Sequence, residues 1–288
     1  GCSQITNVVI PEGVTTIGRY AFRGCTGLAE IDLPDSITTI GRYAFSGCTG
    51  LAEIDLPDSI TTIGSYAYSS CTGLTEINLP NGVTTINSYA FNGCTYLKTI
   101  IVPASLTTAE NAFAGSSIET VYFEEGRTTT PYKLFREDTA LKNVYLPQSL
   151  TSTGNDLFYG CTALESISIP KNVKTLGGWN FYGCTSLSAV SLPDGLESIG
   201  EYAFYNCKAL ASIDIPYSVN NIKYRAFQNC TAFESISLPL NITTMGDNVF
   251  NGCTNLKTIT IPASLTTAEN AFAGSSIETV YFEEGRTT

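Results

Sequence analysis

Ten cysteines fall at one recurring position, in two runs with a spacing of 23 residues: Cys2, Cys25, Cys48, Cys71 and Cys94, then Cys161, Cys184, Cys207, Cys230 and Cys253. Thiols can pair as disulfides, ligate a soft metal or act as nucleophiles. The spacing contains no C-x-x-C pair, which argues against zinc. Bridging stacked neighbours leaves one cysteine over in each run of five, and side chains stacked in parallel point the wrong way for a disulfide. A nucleophile needs a base, and the chain has no histidine. That absence removes Ser-His-Asp catalysis, Cys-His catalysis and His-ligated metal sites together. The reading is ten reduced thiols packed as small hydrophobes, with Cys2 partly exposed at the start of the array. Ser116, Asp138 and Ser275 hold the same position where the cysteine is missing.

Carboxylates and aromatics form a second set. Glu30, Asp32, Glu53, Asp55 and Glu76, followed by Asn78, stand at the second and fourth positions before a recurring proline. Like charges on adjacent strands repel unless water, salt or a cation relieves them. Such a strip suits a solvated face, a basic protein partner or weak Ca²⁺ binding through oxygen ligands, although no EF-hand loop or glycine-aspartate nonapeptide supports the last. In the next units these positions hold Ile101, Tyr122 and Tyr145, and exposed aromatics flanked by polar residues are typical binding anchors. Later units place Ser168, Ser191, Ser237 and Thr260 there. A third group, Trp179 and Tyr202 with Tyr159, Tyr182 and Tyr205, suits a glycan or a protein. Tyr20, Tyr43, Tyr66 and Tyr89 share the position of Trp179, which favours framework packing. Lys plus Arg is 15 against 26 Asp plus Glu, a net charge of −11, which weighs against a nucleic-acid partner. No apolar run approaches the ~20 residues of a membrane span. No motif joins a nucleophile to a base and no loop is built to cradle phosphate, so an enzyme is the least favoured class and no cofactor is expected.

The elements that must position these residues follow from a repeat. Prolines recur from Pro11 to Pro262 with a spacing of 23, except between Pro103 and Pro147, where Glu124 takes the missing position. Twelve units result, ten of 23 residues and two of 21, at 103–123 and 262–282. Residues 103–129 and 262–288 are identical. In the unit at 28–50, Ile31 and Leu33 alternate as in a half-buried strand that Pro34 ends. Ile37 and Ile40 mark a second short extended segment. Gly41 is expected to supply a positive φ, and the segment closed by Gly47 to form a 3₁₀ or single-turn helix. No unit can bury its own apolar face, so units must stack, with an aromatic column from Phe22 to Phe272 as their spine. The expectation is one solenoid over residues 1–288, irregular at 103–146 and 262–288. The chain opens and closes inside a unit, so it reads as a fragment of a longer array whose open edge strands associate end to end.

The pattern L-x-x-I-x-L-P-x-x-[VI]-T-x-I-G-x-x-A-F-x-G-C-T resembles the BspA-like class of leucine-rich repeats over essentially the whole chain. That resemblance implies a right-handed solenoid with a parallel sheet on its concave side. It also implies a bacterial or protist protein that is secreted or held at the cell surface, often an adhesin for host or neighbouring-cell proteins. The class carries no catalytic motif to transfer. The expected function is recognition of a protein ligand by the concave surface formed by Glu30, Asp32, Glu53, Asp55, Glu76, Ile101, Tyr122 and Tyr145. The rivals are a passive spacer in a larger surface protein and a carbohydrate-binding module.

Overall fold

The computed structural model describes residues 3–283, and Cys2 lies outside them. The described residues form a parallel-strand β-solenoid, one turn per repeat, without helix. No helix is therefore long and apolar enough to cross a membrane. The chain divides into two compact units. Unit 1 holds residues 1–127 and 131–145; unit 2 holds 128–130 and 146–288.

In unit 1 the T-x-I segments are the strands β1 (Thr16–Ile17), β2 (Thr39–Ile40), β3 (Thr62–Ile63) and β4 (Thr85–Ile86). They pair in parallel and in register, Ile17 beside Ile40 beside Ile63 beside Ile86. The L-x-x-I-x-L-P segments supply β5 (Thr99–Val102), β6 (Thr120–Phe123) and β7 (Asn143–Tyr145), a three-stranded parallel sheet. Unit 2 contains β8 (Ser166–Ser168), β9 (Thr175–Leu176), β10 (Ala189–Ser191), β11 (Ser198–Ile199), β12 (Asn221–Ile222), β13 (Thr244–Met245), β14 (Thr258–Ile261) and β15 (Thr279–Phe282). Strands β9, β11, β12 and β13 form the T-x-I sheet; β8 pairs with β10, and β14 with β15.

The expected sheet of L-x-x-I-x-L-P segments is therefore interrupted rather than continuous. It fails as a strand wherever the second residue before proline is Asp or Asn: Asp32, Asp55, Asn78 and Asp214. Of these, only Asp32 keeps a single bridge, to Val9. Where that residue is Ile, Tyr, Ser or Thr, a strand or a bridge forms. Asp and Asn are poor strand residues, and like charges directly opposite push strands apart.

The segment between the T-x-I strand and the cysteine does not become a helix either. Ala44, Ser46 and Cys48 donate their N–H groups within the turn, to the carbonyls of Gly41, Tyr43 and Phe45. Tyr43, Phe45 and Gly47 donate instead to Ser65, Ala67 and Ser69 of the following turn, at 3.1, 2.8 and 2.8 Å. The alternation arises because Tyr43 (φ 57°) and Gly47 (φ 76°) are left-handed and interrupt any helical run. Gly41 was expected to hold the positive φ and does not. Its glycine is required by close approach, since a Cβ there would lie 2.7 Å from the Ile17 carbonyl oxygen. Two residues on, the left-handed column holds Tyr20, Tyr43, Tyr66, Tyr89, Trp179 and Tyr202 in six turns and Asn111, Lys133, Asp156, Arg225, Asn248 and Asn270 in the others. A side chain there costs about 1–2 kcal/mol; where it is aromatic, stacking on the next ring, at roughly 0.5–1.5 kcal/mol per pair, counters that cost.

The core is a set of columns. Phe45, Tyr68, Phe91, Phe113 and Phe135 in unit 1, and Phe158, Phe181, Phe204, Phe227 and Phe250 in unit 2, are all buried, while Phe22 and Phe272 are half-buried. Successive rings in each unit stack with centroids 5.2 to 5.9 Å apart. The nine described cysteines are buried thiols outside any disulfide. Cys48, Cys71, Cys94, Cys184, Cys207, Cys230 and Cys253 each donate S–H to the carbonyl of the preceding turn's column aromatic, at 3.0 to 3.1 Å. Burial pushes the thiols up, Cys48 to about 11 and Cys94 to about 12, so they are un-ionised and poor nucleophiles at neutral pH.

Candidate functional site

The outward positions of unit 1 are set by strand alternation. On β5 the burial pattern places Ile100 and Val102 inside, and Thr99 and Ile101 outside. Register then lines up Ile101, Tyr122 and Tyr145 in one row across β5, β6 and β7. Their exposures are 47%, 43% and 53%, so the sequence expectation of an exposed row is met in its geometry. Tyr122 and Tyr145 stack with centroids 4.6 Å apart and planes within 5°. Beside them runs the row Thr99, Thr120 and Asn143, where the Asn143 amide donates to the Thr120 hydroxyl at 3.2 Å.

A third row was missed from sequence. Glu119 accepts from Lys98 at 3.1 Å and from Lys142 at 2.9 Å. Hydrogen bonding to Lys142, and then to Lys98, lowers the Glu119 pKa. The signal was present, since these three residues share the fifth position before proline with alternating sign.

On the turns that precede β5, the outward positions carry Glu30, Asp32, Glu53, Asp55 and Glu76, all exposed. They line a trough of about 210 Å³ floored by Ile31, Ile54 and Ile77. Among the described residues none of the five forms an ion pair, and no three of His, Cys, Asp or Glu converge to hold a metal ion. A second hollow of about 180 Å³, lined by Glu76, Ile77, Asn78, Thr99 and Ile101, joins the trough to the apolar row. The eight residues singled out from sequence thus lie along one face of unit 1, acidic at one end and aromatic at the other.

Unit 2 differs. Its strand face carries Ser168 and Ser191, which line a shallow polar hollow with Lys171 and Asp194. Its aromatic group is a separate cluster. Tyr159, Tyr182 and Tyr205 stack at 4.5 Å with planes 2° and 3° apart. Trp179 lies 4.0 Å from Tyr202 and 5.2 Å from Tyr182. Tyr182, with a ring stacked on either side, has no open face for a sugar to stack on.

A further pair sits inside unit 1, where two cysteines are replaced. The Ser116 hydroxyl donates to Asp138 Oδ2 at 2.9 Å, and the Ala140 N–H to Oδ1 at 3.2 Å. Asp138 is fully buried, and desolvation raises its pKa to about 7. The pair belongs to the core, away from the outward rows.

Comparison with known proteins agrees with this architecture. A leucine-rich repeat protein from Bacteroides ovatus is 32% identical with a TM-score of 0.64, over 99% of this chain and 85% of that one. One from Eubacterium ventriosum is 24% identical with a TM-score of 0.59, over 95% and 83%. The pneumococcal vaccine antigen PcpA shares the fold, at 21% identity and a TM-score of 0.57, over 97% and 79%. No curated protein matches the chain. The BspA type leucine-rich repeat model matches six copies, at residues 1–110, 61–188 and 179–288, and the chain therefore belongs to the BspA-type leucine-rich repeat family.

Proposed function

We propose that the chain is a protein-recognition module, displayed outside the cell or on its surface, that binds a host or neighbouring-cell surface or matrix protein on the outward strand face of unit 1. One observation carries the reading: an uncovered Tyr122–Tyr145 stack beside Ile101, continuous with a trough of five unpaired carboxylates. Apolar anchors that exclude water, bordered by charge, are the usual anatomy of a protein interface. Ile101, Tyr122 and Tyr145 are mounted on hydrogen-bonded strands, so binding at that end costs little ordering entropy. The acidic end selects a partner with a basic patch and hastens encounter. Family membership is the support for a surface setting and an interaction role. A second reading, a passive spacer, is favoured only for unit 2, whose strand face shows Ser168 and Ser191.

The test is an array of purified extracellular and matrix proteins probed with the chain and with two variants. Tyr122→Ala/Tyr145→Ala should lose the strongest contacts, by about 2 kcal/mol or more for true anchors. A variant with Glu30, Asp32, Glu53, Asp55 and Glu76 made Gln or Asn should bind more slowly, and its association should lose most of its dependence on salt. A ligand held equally by the chain and both variants would defeat this site.

A further inference from the structure

The turn segment of unit 1 carries a charge reversal that the strand face does not explain. Tyr20, Tyr43, Tyr66 and Tyr89 stack in a column, with ring centroids 5.2, 4.9 and 5.2 Å apart. At its first two rings lie three guanidinium groups. Arg19 sits 4.6 Å from the Tyr20 centroid and Arg42 5.0 Å from that of Tyr43. Arg23 reaches both rings, at 5.5 and 5.9 Å. Arg19 also donates to the Tyr20 hydroxyl at 2.9 Å. All three arginines are exposed, and among the described residues none of them forms an ion pair.

In a chain with 15 cations against 26 acids, three unpaired cations gathered at two adjacent rings stand out. The column of Arg19 and Arg42 continues as Ser65, Ser88 and Glu110, and in unit 2 it includes Glu201, Asp247 and Glu269. The fold therefore accepts neutral or acidic residues at this position, and the arginines of the first turns are not a packing requirement. Like charges held this close repel, and a bound anion removes the repulsion.

We propose that Arg19, Arg23 and Arg42, held against Tyr20 and Tyr43, form a binding site for sulfate or phosphate ester groups on a compact, sugar-sized scaffold. A guanidinium presents a planar fork of donors that matches the oxygens of such an ester, and rings that fix its plane reduce what is lost on binding. The cluster spans only two turns. A long polyanion would run beyond it onto a surface of net negative charge, whereas a compact one would not. The site lies on the turn segment, apart from the outward strand rows, and stands or falls independently of the protein-recognition reading.

Calorimetric titration of the 288-residue chain at low salt with sucrose octasulfate, and separately with inositol hexakisphosphate, tests the site and tells sulfate from phosphate. At least one probe should bind saturably. Binding should fall about tenfold or more in Arg19→Gln/Arg23→Gln/Arg42→Gln, with smaller losses in each single variant. The corresponding triple Lys variant, which keeps the charge and loses the fork, should lie between. Lys171→Gln/Lys208→Gln in unit 2 should bind as the parent does. The substituted arginines are exposed, so the melting curve checks that each variant is folded. The proposal is overturned if neither probe binds, if the triple Gln variant binds as well as the parent, or if a single-stranded oligonucleotide binds more tightly than both probes.

Discussion

Asp138 stands where ten turns place a thiol, and that single exchange makes the core of unit 1 sensitive to pH. Its carboxyl is fully buried, with the Ser116 hydroxyl and the Ala140 N–H as donors and the Lys98 charge as partial relief. Desolvation outweighs all three and raises the pKa from 3.8 to about 7. An acid whose folded pKa lies above its unfolded pKa holds its proton more tightly in the fold. The contribution of Asp138 is therefore most favourable below pH 3.8, erodes as pH rises between 3.8 and about 7, and stays at its worst above that. A shift of this size corresponds to about 4 kcal/mol at most. Asp138→Asn keeps the shape and an acceptor for Ser116 and removes the charge. Urea unfolding should find the variant more stable than the parent at pH 8, with the gap closing towards pH 4. A gap that does not depend on pH would mean that folding leaves the Asp138 pKa unshifted. The cysteines make the contrasting case. Seven of their S–H groups meet a carbonyl, and un-ionised thiols need no counter-charge.

At the scale of the element, what could be read in advance is whatever the 23-residue period carries: the turn count, the buried aromatic column and the thiol column. The outward rows were legible for the same reason, because alternation along a strand needs only the position of the proline. Local backbone geometry was not legible. Propensity assigns a left-handed residue to glycine, yet the column at Tyr43 is left-handed in every turn without a glycine in it, while Gly41 serves a close approach. The Lys98–Glu119–Lys142 triad escaped notice because it spans a turn shortened to 21 residues, where partners must be counted across a deletion; Ser116 and Asp138 were placed together in the thiol column, but position alone does not give their hydrogen bond. The interruption of the outer sheet leads to a prediction at this scale. If Asp55 and its acidic neighbours hold the ladder open, Glu53→Thr/Asp55→Thr should allow strand pairing between the turns around it. Replacing two poor strand residues and their repulsion should stabilise the chain by roughly 1 kcal/mol, visible as a higher melting temperature. The gain should shrink in high salt, which already screens the parent's carboxylates. A gain that salt leaves unchanged would assign the interruption to strand propensity alone.

For the whole molecule, the duplicated segment acts as an internal control. In unit 1 Val121 and Phe123 of β6 are buried, with exposures of 0% and 7%, and β7 pairs alongside. Their counterparts Val280 and Phe282, on β15 of unit 2, are 42% and 62% exposed. In unit 1 a further strand pairs with β6, whereas among the described residues β15 pairs with β14 alone. What covers β6 is a turn of this same repeat, whose Lys142 and Asn143 N–H groups reach the Glu119 carbonyl and whose Tyr145 lies on Tyr122. At the other end of the chain Val9 is 82% exposed beside Asp32. A parallel edge and an apolar row that accept a repeat in register will accept one from a second copy, and such head-to-tail contacts do not close on themselves. The 288-residue chain should therefore associate as its concentration rises. A net charge of −11 opposes the contact, so added salt should promote it, the reverse of the effect expected for the acidic strip and its ligand. Val280→Lys/Phe282→Lys places charge on the edge and should leave the chain monomeric under conditions where the parent assembles. Sedimentation velocity over a concentration series at two salt levels measures all three expectations. A parent that stays monomeric at high concentration and high salt, or a double variant that assembles as readily as the parent, would show that β15 is not the contact.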